Sequence, residues 1–164
     1  MANRLASSNQ NVFKQDLYDL WFGLYRRKTN NDSSGFEHVF VGEEKEGKVM
    51  GMHNWVQLYC EERANRLDYK GYIPPRGRNH QSPVNEDQVV TIQFAWEGGL
   101  KPVSTSFIGT SPEFELALFT MAFLSGHEDN HCVLAGRYKV NIKCYSYGRG
   151  SHRKIGTAFP EALN

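Results

Sequence analysis

Residues 89–109 constrain the fold of this chain more than any other segment. The run VVTIQFAW is rich in β-branched and aromatic residues, a composition that predicts a strand. The pair Gly98-Gly99 predicts a turn, and KPVSTSFIG then predicts a second strand. Two adjacent strands joined by a short turn must pair antiparallel, so we expect an antiparallel sheet in this part of the chain.

The sequence that follows, SPEFELALFTMAFLSG, predicts a helix. Ser111 is a suitable N-cap and Pro112 fits the first turn, while Glu113 and Glu115 suit the positive end of the helix dipole. We expect the large apolar residues of this helix to lie in the core, namely Phe114, Leu118, Met121 and Phe123.

The rest of the chain predicts two more helices and more hairpins. Apolar spacing indicates a helix over 12–27, ended by NNDSSG, and another over 54–63. Between them, GFEHVFVGE and KVMGMH predict a hairpin with a histidine near the same end of each strand. Residues 70–88 predict a long loop, CVLAGRYKVNIKCYSYG a hairpin around Gly136, and KIGTAFP a last strand. The fold class expected is α+β, with antiparallel β-sheets and helices packed on them.

Composition fits one folded domain. The chain has 164 residues, of which 40% are hydrophobic, enough for one core and too few for two large domains. No run approaches the roughly 18 apolar residues of a transmembrane helix, and the first twenty residues lack the apolar stretch of a secretory signal. We therefore expect a soluble chain with no membrane partner. Nothing in the sequence specifies its compartment or oligomeric state.

His38, His53 and Lys101 are the residues that best fit a chemical reaction. The two histidines lie fifteen positions apart. Cleavage of RNA at its own 2′-hydroxyl needs a base, an acid and a cation, and histidine's pKa near 6.5 lets one ring act as base and the other as acid. A lysine can stabilise the charge that develops on phosphorus. Composition alone favours a structural role for His38 and His53, since they are two of six histidines in the chain.

Four ordered motifs change that assessment: SGFEHVFVGE, GMHNWVQLY, KPVSTSFIGTSPEFE and IGTAFP. In order and spacing they resemble the EndoU family of uridylate-directed endoribonucleases, and the first two also resemble the catalytic lobe of the coronaviral uridylate-specific endoribonuclease. The resemblance implies an EndoU-like catalytic lobe over 1–164, with His53 as base, His38 as acid and Lys101 as third catalytic group. Family members carry a helical region before GFEH, and only one predicted helix precedes it here, so an N-terminal helical part is expected to be missing.

The resemblance also implies three substrate-binding residues. Thr105 matches a small hydroxyl residue that reads the uracil edge, and an ordinary role in a β-strand is equally consistent with it. Thr157 and Phe159 match positions linked to substrate, where the family more often has an aromatic residue with a hydroxyl. Phe159 keeps a stacking face, worth about 1–3 kcal/mol per base, but lacks that hydroxyl. The missing hydroxyl predicts a less strict preference for uridine than the family pattern implies.

Glu37 and Glu43 match two further positions that matter in the family, whose members are often activated by manganese or calcium. Carboxylates beside a histidine can bind such an ion through oxygen, or they can orient His38 and raise its pKa. We favour orientation, because the chain has no HExxH motif or aspartate cluster. No organic cofactor is expected, and a divalent ion is expected only as an activator.

The sequence therefore predicts an endoribonuclease that cleaves single-stranded, uridine-containing RNA and leaves a 2′,3′-cyclic phosphate and a 5′-hydroxyl. One alternative is an RNA-binding module with impaired catalysis. Another is a metal-dependent phosphodiesterase in which His38, Glu43 and His53 bind the ion. The basic stretch 137–154, interleaved with tyrosines, fits either an RNA-binding surface or a solvated hairpin face.

Overall fold

The computed structural model describes residues 7–27, 29–74, 88–135, 138–150 and 153–163. These residues form three α-helices, one π-helical turn and eight strands. The helices are α1 Gln10–Phe22, α2 Trp55–Arg63 and α3 Pro112–Ser125, and the π-helical turn is Glu37–Val41. The strands are β1 Glu43–Lys45, β2 Lys48–Met50, β3 Leu67–Tyr72, β4 Val89–Trp96, β5 Gly99–Phe107, β6 Asp129–Leu134, β7 Tyr138–Tyr147 and β8 Lys154–Ala162.

The strands form two sheets, which confirms the predicted α+β class. The larger sheet has the order β1-β2-β5-β4-β3 and the smaller one the order β6-β7-β8. All neighbouring strands are antiparallel except β2 and β5, which meet in parallel at Lys48 and Leu100. The predicted β4–β5 hairpin and the β6–β7 pairing are confirmed, although Gly136 itself lies outside the described residues.

Helix α3 begins and ends where its sequence predicts. The Ser111 hydroxyl accepts a hydrogen bond from the Phe114 N–H at 3.2 Å, and Gly126 ends the helix in the left-handed conformation. The predicted buried face is wrong for two residues, since Phe114 is 42% exposed and Met121 is 68% exposed. The helix is apolar on nearly all sides, so its pattern could not indicate which side packs.

Two apolar clusters support the fold. The larger one joins α1, the π-helical turn, α3, the small sheet and the ends of β4 and β5, and it includes Trp21, Phe107 and Phe119. A buried hydrogen bond from the indole Nε1 of Trp21 to the Thr120 hydroxyl at 2.8 Å links α1 to α3 beside this cluster. The smaller cluster lies between α2 and the large sheet. None of the helices in the described residues is long and apolar enough to cross a membrane.

Three predicted elements differ from the structure. Helix α1 ends at Phe22, before Gly23, and not at position 27. The predicted loop 70–88 begins within strand β3, and residues 75–87 lie outside the described part. The predicted strand through His38 is a π-helical turn, in which the Gly42 N–H donates to the Glu37 carbonyl at 2.8 Å. Neighbouring residues 38, 39 and 40 are all buried there, so the segment shows no alternation that would separate a strand from a turn.

Candidate active site

An open cleft of about 420 Å³ lies between the large sheet and strand β8. It is lined by His38, Val49, Met50, Gly51, His53, Lys101, Val103, Thr105, Thr157 and Phe159. Six of the eight residues selected from sequence therefore meet at one cavity, contributed by four different parts of the chain. The other two, Glu37 and Glu43, do not line it.

Backbone hydrogen bonds bring the two histidines together. The Met52 N–H donates to the His38 carbonyl at 3.0 Å, and the His53 N–H donates to the Val39 carbonyl at 2.8 Å. This close approach requires a glycine at position 51, where φ is +64° and a Cβ atom would lie 1.7 Å from the His38 carbonyl oxygen. The link between β2 and α2 therefore packs directly against the π-helical turn.

His53 is buried and held on one ring nitrogen. Its Nδ1 lies 3.0 Å from the Thr105 carbonyl oxygen, so Nδ1 carries the proton and donates, which leaves a lone pair on Nε2. The ring stacks on Phe159 with centroids 4.8 Å apart. Burial lowers the pKa of His53 well below its usual value, and the Lys101 charge lowers that pKa further. A neutral imidazole is therefore favoured.

His38 is also buried, but it faces a carboxylate. Its Nδ1 lies 3.4 Å from Oε2 of Glu43. Burial lowers the pKa of His38, and the hydrogen bond to Glu43 opposes this effect without overcoming it. The expectation that glutamates raise the pKa of His38 was correct for the contribution of Glu43 and wrong for the net result, because the desolvation of the ring is larger.

Glu43 is held by residues that the sequence did not indicate. It accepts a short hydrogen bond from the fully buried Ser33 hydroxyl, and the Arg27 guanidinium lies 3.7 Å away. Arg27 was predicted to lie at the end of a helix, but it instead extends to Glu43 and donates to the Gly156 carbonyl. The only signal for Ser33 and Arg27 was their position in a polar segment just before the GFEH motif. Glu37 is half-buried in the first turn, where its N–H donates to the Ser34 hydroxyl at 3.1 Å.

Lys101 enters the cleft from strand β5. It is the third residue of that strand rather than the first, and it lines the cleft together with Val103 and Thr105, although the pairing of β5 with β4 shifts register between Ser104 and Lys101. Lys101 is only 8% exposed, and burial lowers the pKa of its ammonium to about 8. Lys101 therefore remains mostly protonated at neutral pH.

The three predicted substrate residues differ in what they contact. The Thr105 hydroxyl lies 3.3 Å from the Thr91 hydroxyl on the neighbouring strand, and its carbonyl binds His53. The Thr157 hydroxyl is buried and has no hydrogen-bond partner among the described residues, although it is at the cleft wall. Phe159 contacts the face of the His53 ring, a neighbour that its sequence position did not predict.

The geometry does not provide the ion site of the metal-dependent alternative. Among the residues the structure describes, no group of three or more histidine, cysteine, aspartate or glutamate side chains is arranged to hold a metal ion. In particular, the carboxylate of Glu43 is occupied by Ser33 and His38. These contacts favour orientation of His38 as the role of Glu43.

Part of the basic stretch 137–154 is engaged within the chain. Lys143 forms an ion pair with Asp129 at 2.6 Å, and the Lys154 ammonium donates to the carbonyl of Asp19 at 2.8 Å. The guanidinium of Arg153 lies over the Phe123 ring. These contacts favour a structural role for the three cations over a dedicated RNA surface.

Comparisons with known proteins place the chain among endoribonucleases in sequence and in fold. A family model described as endoribonuclease XendoU matches residues 1–160. A poly(U)-specific endoribonuclease of Xenopus tropicalis is 47% identical, over 97% of this chain and 54% of the relative. A uridylate-specific endoribonuclease C of Danio rerio is 46% identical, over 96% of this chain and 50% of the relative. The chain thus spans about half the length of the curated relatives it matches.

Two solved structures resemble the fold. The structure of XendoU, a splicing-independent snoRNA-processing endoribonuclease, matches with a TM-score of 0.75 and 44% identity, covering 96% of this chain and 56% of that one. The endoribonuclease Nsp15 of Middle East respiratory syndrome coronavirus matches with a TM-score of 0.50 and 15% identity, covering 98% of this chain and 40% of that one. The second match is a likeness of fold alone.

Proposed function

Because the chain belongs to the XendoU endoribonuclease family, we propose that residues 1–164 act as one catalytic domain that cleaves single-stranded RNA at uridines. The 2′-hydroxyl attacks the adjacent phosphorus, and the products are a 2′,3′-cyclic phosphate and a 5′-hydroxyl. The observation that carries this proposal is the convergence of His38, His53 and Lys101 on one cleft.

His53 is the base in this reaction. Its Nδ1–H is bound to the Thr105 carbonyl, so the lone pair of Nε2 is available to take the 2′-hydroxyl proton. The strongly lowered pKa keeps the ring neutral before attack. A positioned base of this kind typically contributes about 10²–10⁴-fold in rate.

His38 is the acid that protonates the leaving 5′-oxygen. Glu43 binds Nδ1, which orients the ring and stabilises its charged form. Burial lowers the pKa of His38 in the free protein. A bound phosphodiester brings a negative charge near the ring, and a nearby opposite charge raises the pKa of a histidine. Substrate binding therefore favours the protonated state that the acid step needs.

Lys101 stabilises the charge that develops on the phosphorane oxygens. Its ammonium is largely removed from water, so its attraction for that charge is stronger than it would be at the surface. Because the negative charge on phosphorus increases during attack, this contact strengthens in the transition state and accelerates the chemical step.

Thr105, Thr157 and Phe159 form the substrate-binding wall in this proposal. The Thr157 hydroxyl, which has no hydrogen-bond partner within the part of the chain that the structure describes, can donate to or accept from a uracil edge, which carries both functions. Phe159 packs on His53 and supplies an aromatic edge to the same wall. Preference for uridine thus depends on hydroxyl contacts, whereas cleavage depends on the three catalytic groups.

A short RNA with one uridine, compared with its 2′-deoxyuridine twin, tests the proposal. We expect cleavage of the RNA and none of the deoxy substrate, since the nucleophile is missing. Parallel reactions with manganese, calcium and a chelator measure ion dependence. Cutting of the deoxy substrate, or RNA binding without any cleavage under these conditions, would refute the proposed reaction.

A further inference from the structure

A buried carboxyl lies beside the start of α2, outside the cleft. Glu115 is fully buried on α3, and burial raises the pKa of its carboxyl to about 7. Its Oε1 accepts a hydrogen bond from the Thr110 hydroxyl at 2.6 Å, and its Oε2 accepts one from the Asn54 side-chain amide at 3.2 Å. The sequence had indicated only a favourable dipole position for this glutamate. A buried carboxyl is costly unless its oxygens are bonded, so these two contacts define what it does in the fold.

Asn54 connects this carboxyl to His53. Asn54 is buried and directly follows His53 in the chain. Its Oδ1 accepts from the N–H groups of Val56 and Gln57 at 3.1 and 3.2 Å, which caps α2. The same side chain therefore binds the first turn of α2 through its oxygen and Glu115 through its nitrogen.

Strand β5, helix α3 and the connection between them each bind one of three consecutive residues at this point. The Thr105 carbonyl binds the His53 ring, and Glu115 binds the Asn54 amide. The Thr110 carbonyl accepts from the Trp55 indole at 2.7 Å. Without the hydrogen bond between Asn54 and Glu115, these contacts would hold His53 and Trp55 but not Asn54 between them.

We propose that Glu115 is a positioning residue for His53: through Asn54 it holds the start of α2 so that the imidazole keeps Nδ1 on the Thr105 carbonyl and Nε2 towards the cleft. The inference depends on the proposed function only in taking His53 as the base. Glu115 does not contact the substrate in this scheme.

Three variants test this role in the full chain. Glu115→Leu removes the bond to Asn54, and we expect kcat for the single-uridine RNA to fall about 100-fold with little change in KM, the scale associated with a misplaced catalytic group. Glu115→Gln should restore most of kcat, because its amide oxygen can accept from Asn54 while its nitrogen donates to the Thr110 hydroxyl. Thr110→Val is the matched control, since it removes the other bond to the same carboxyl and leaves Asn54 bound.

A fourth variant covers the case in which Glu115→Leu does not fold. Asn54→Ser retains an oxygen that can cap α2 but loses the bond to Glu115. We expect it to lower kcat as Glu115→Leu does, and the double variant should lose no more than either single one, because both act through the same contact. Wild-type kcat in a folded Asn54→Ser or Glu115→Leu variant would overturn the proposal, as would equal losses in Glu115→Leu and Thr110→Val.

Imidazole ¹⁵N NMR separates this inference from the proposed function, because it needs no RNA cleavage. The Nδ1 signal of His53 should shift or broaden in Asn54→Ser, or in Glu115→Leu where that variant folds, while the His38 signals stay as in the wild type. Unchanged His53 signals would overturn the positioning role even in an active enzyme. If the wild-type chain cuts no RNA, the proposed function fails and the NMR comparison still decides the role of Glu115.

Discussion

Replacing Glu43 by glutamine isolates the electrostatic contribution of one carboxylate to His38. Glutamine has nearly the same shape and can still accept the hydrogen bond from Ser33, so the packing of this buried site is retained. The variant removes the negative charge that lies 3.4 Å from Nδ1 of His38. Both side chains are almost fully shielded from water, and screening by solvent is therefore small.

The expected size of the effect follows from this contact. A hydrogen bond to a charged group contributes about 1.5–3 kcal/mol, and here the carboxylate stabilises the protonated ring more than the neutral one, so this range is the upper limit of the effect. Since about 1.4 kcal/mol corresponds to a factor of ten, the protonated fraction of His38 should fall about 10–150-fold wherever the ring is mostly neutral. The pKa of His38 is already lowered by burial, and it falls further without Glu43. His38 loses its proton as pH rises through its pKa, so the alkaline limb of the kcat profile should move to lower pH.

The assay is the pH dependence of kcat with the single-uridine RNA, together with an NMR titration of the His38 ring. Glu44→Gln is the matched control: it makes the same chemical change one residue later, where the Glu44 carboxylate accepts from the Gly47 N–H at 2.7 Å in the hairpin turn. An alkaline limb that stays in place in Glu43→Gln, or that moves equally in Glu44→Gln, would contradict the assignment of His38 as acid oriented by Glu43.

Two further substitutions test other parts of the site. Lys101→Met should lower kcat by about 10²–10³-fold with a smaller change in KM, because its charge acts mainly in the transition state; steady-state kinetics would contradict this if only KM changed. Gly51→Ala should destabilise the fold by more than the ~1–3 kcal/mol of left-handed strain, because its Cβ atom would clash with the His38 carbonyl. Urea unfolding should show a smaller loss for Gly47→Ala, where φ is +79° and the surrounding space is open; equal losses would remove the clash as the cause.

Local rules correctly predicted the features that depend on neighbours in sequence. Ser111 caps the start of α3 as predicted, because N-capping is a property of a few adjacent residues. Helix α2 likewise begins one residue after Asn54, with His53 just before its cap, as its sequence indicates. The resemblance of four motifs was sufficient to select six residues that meet at the cleft.

Contacts between distant segments could not be predicted from these local signals. The burial of Glu115 and the exposure of Met121 depend on which elements pack against α3. The sequence of an almost uniformly apolar helix does not indicate which of its sides is buried. The π-helical turn at His38 is bound by the link between β2 and α2, whose Met52 and His53 N–H groups donate to its carbonyls. Burial also reversed the expected direction of the pKa shift of His38.

The α+β class, the family and the candidate catalytic residues could be predicted from the sequence alone, because motif, cap and strand signals are local. The surroundings of the candidate residues depend on the tertiary structure. It placed His53 between Thr105 and Phe159 and His38 against Glu43. Desolvation and hydrogen bonding depend on atoms far apart in the chain, and these two effects set the pKa values on which the proposed roles of the two imidazoles depend.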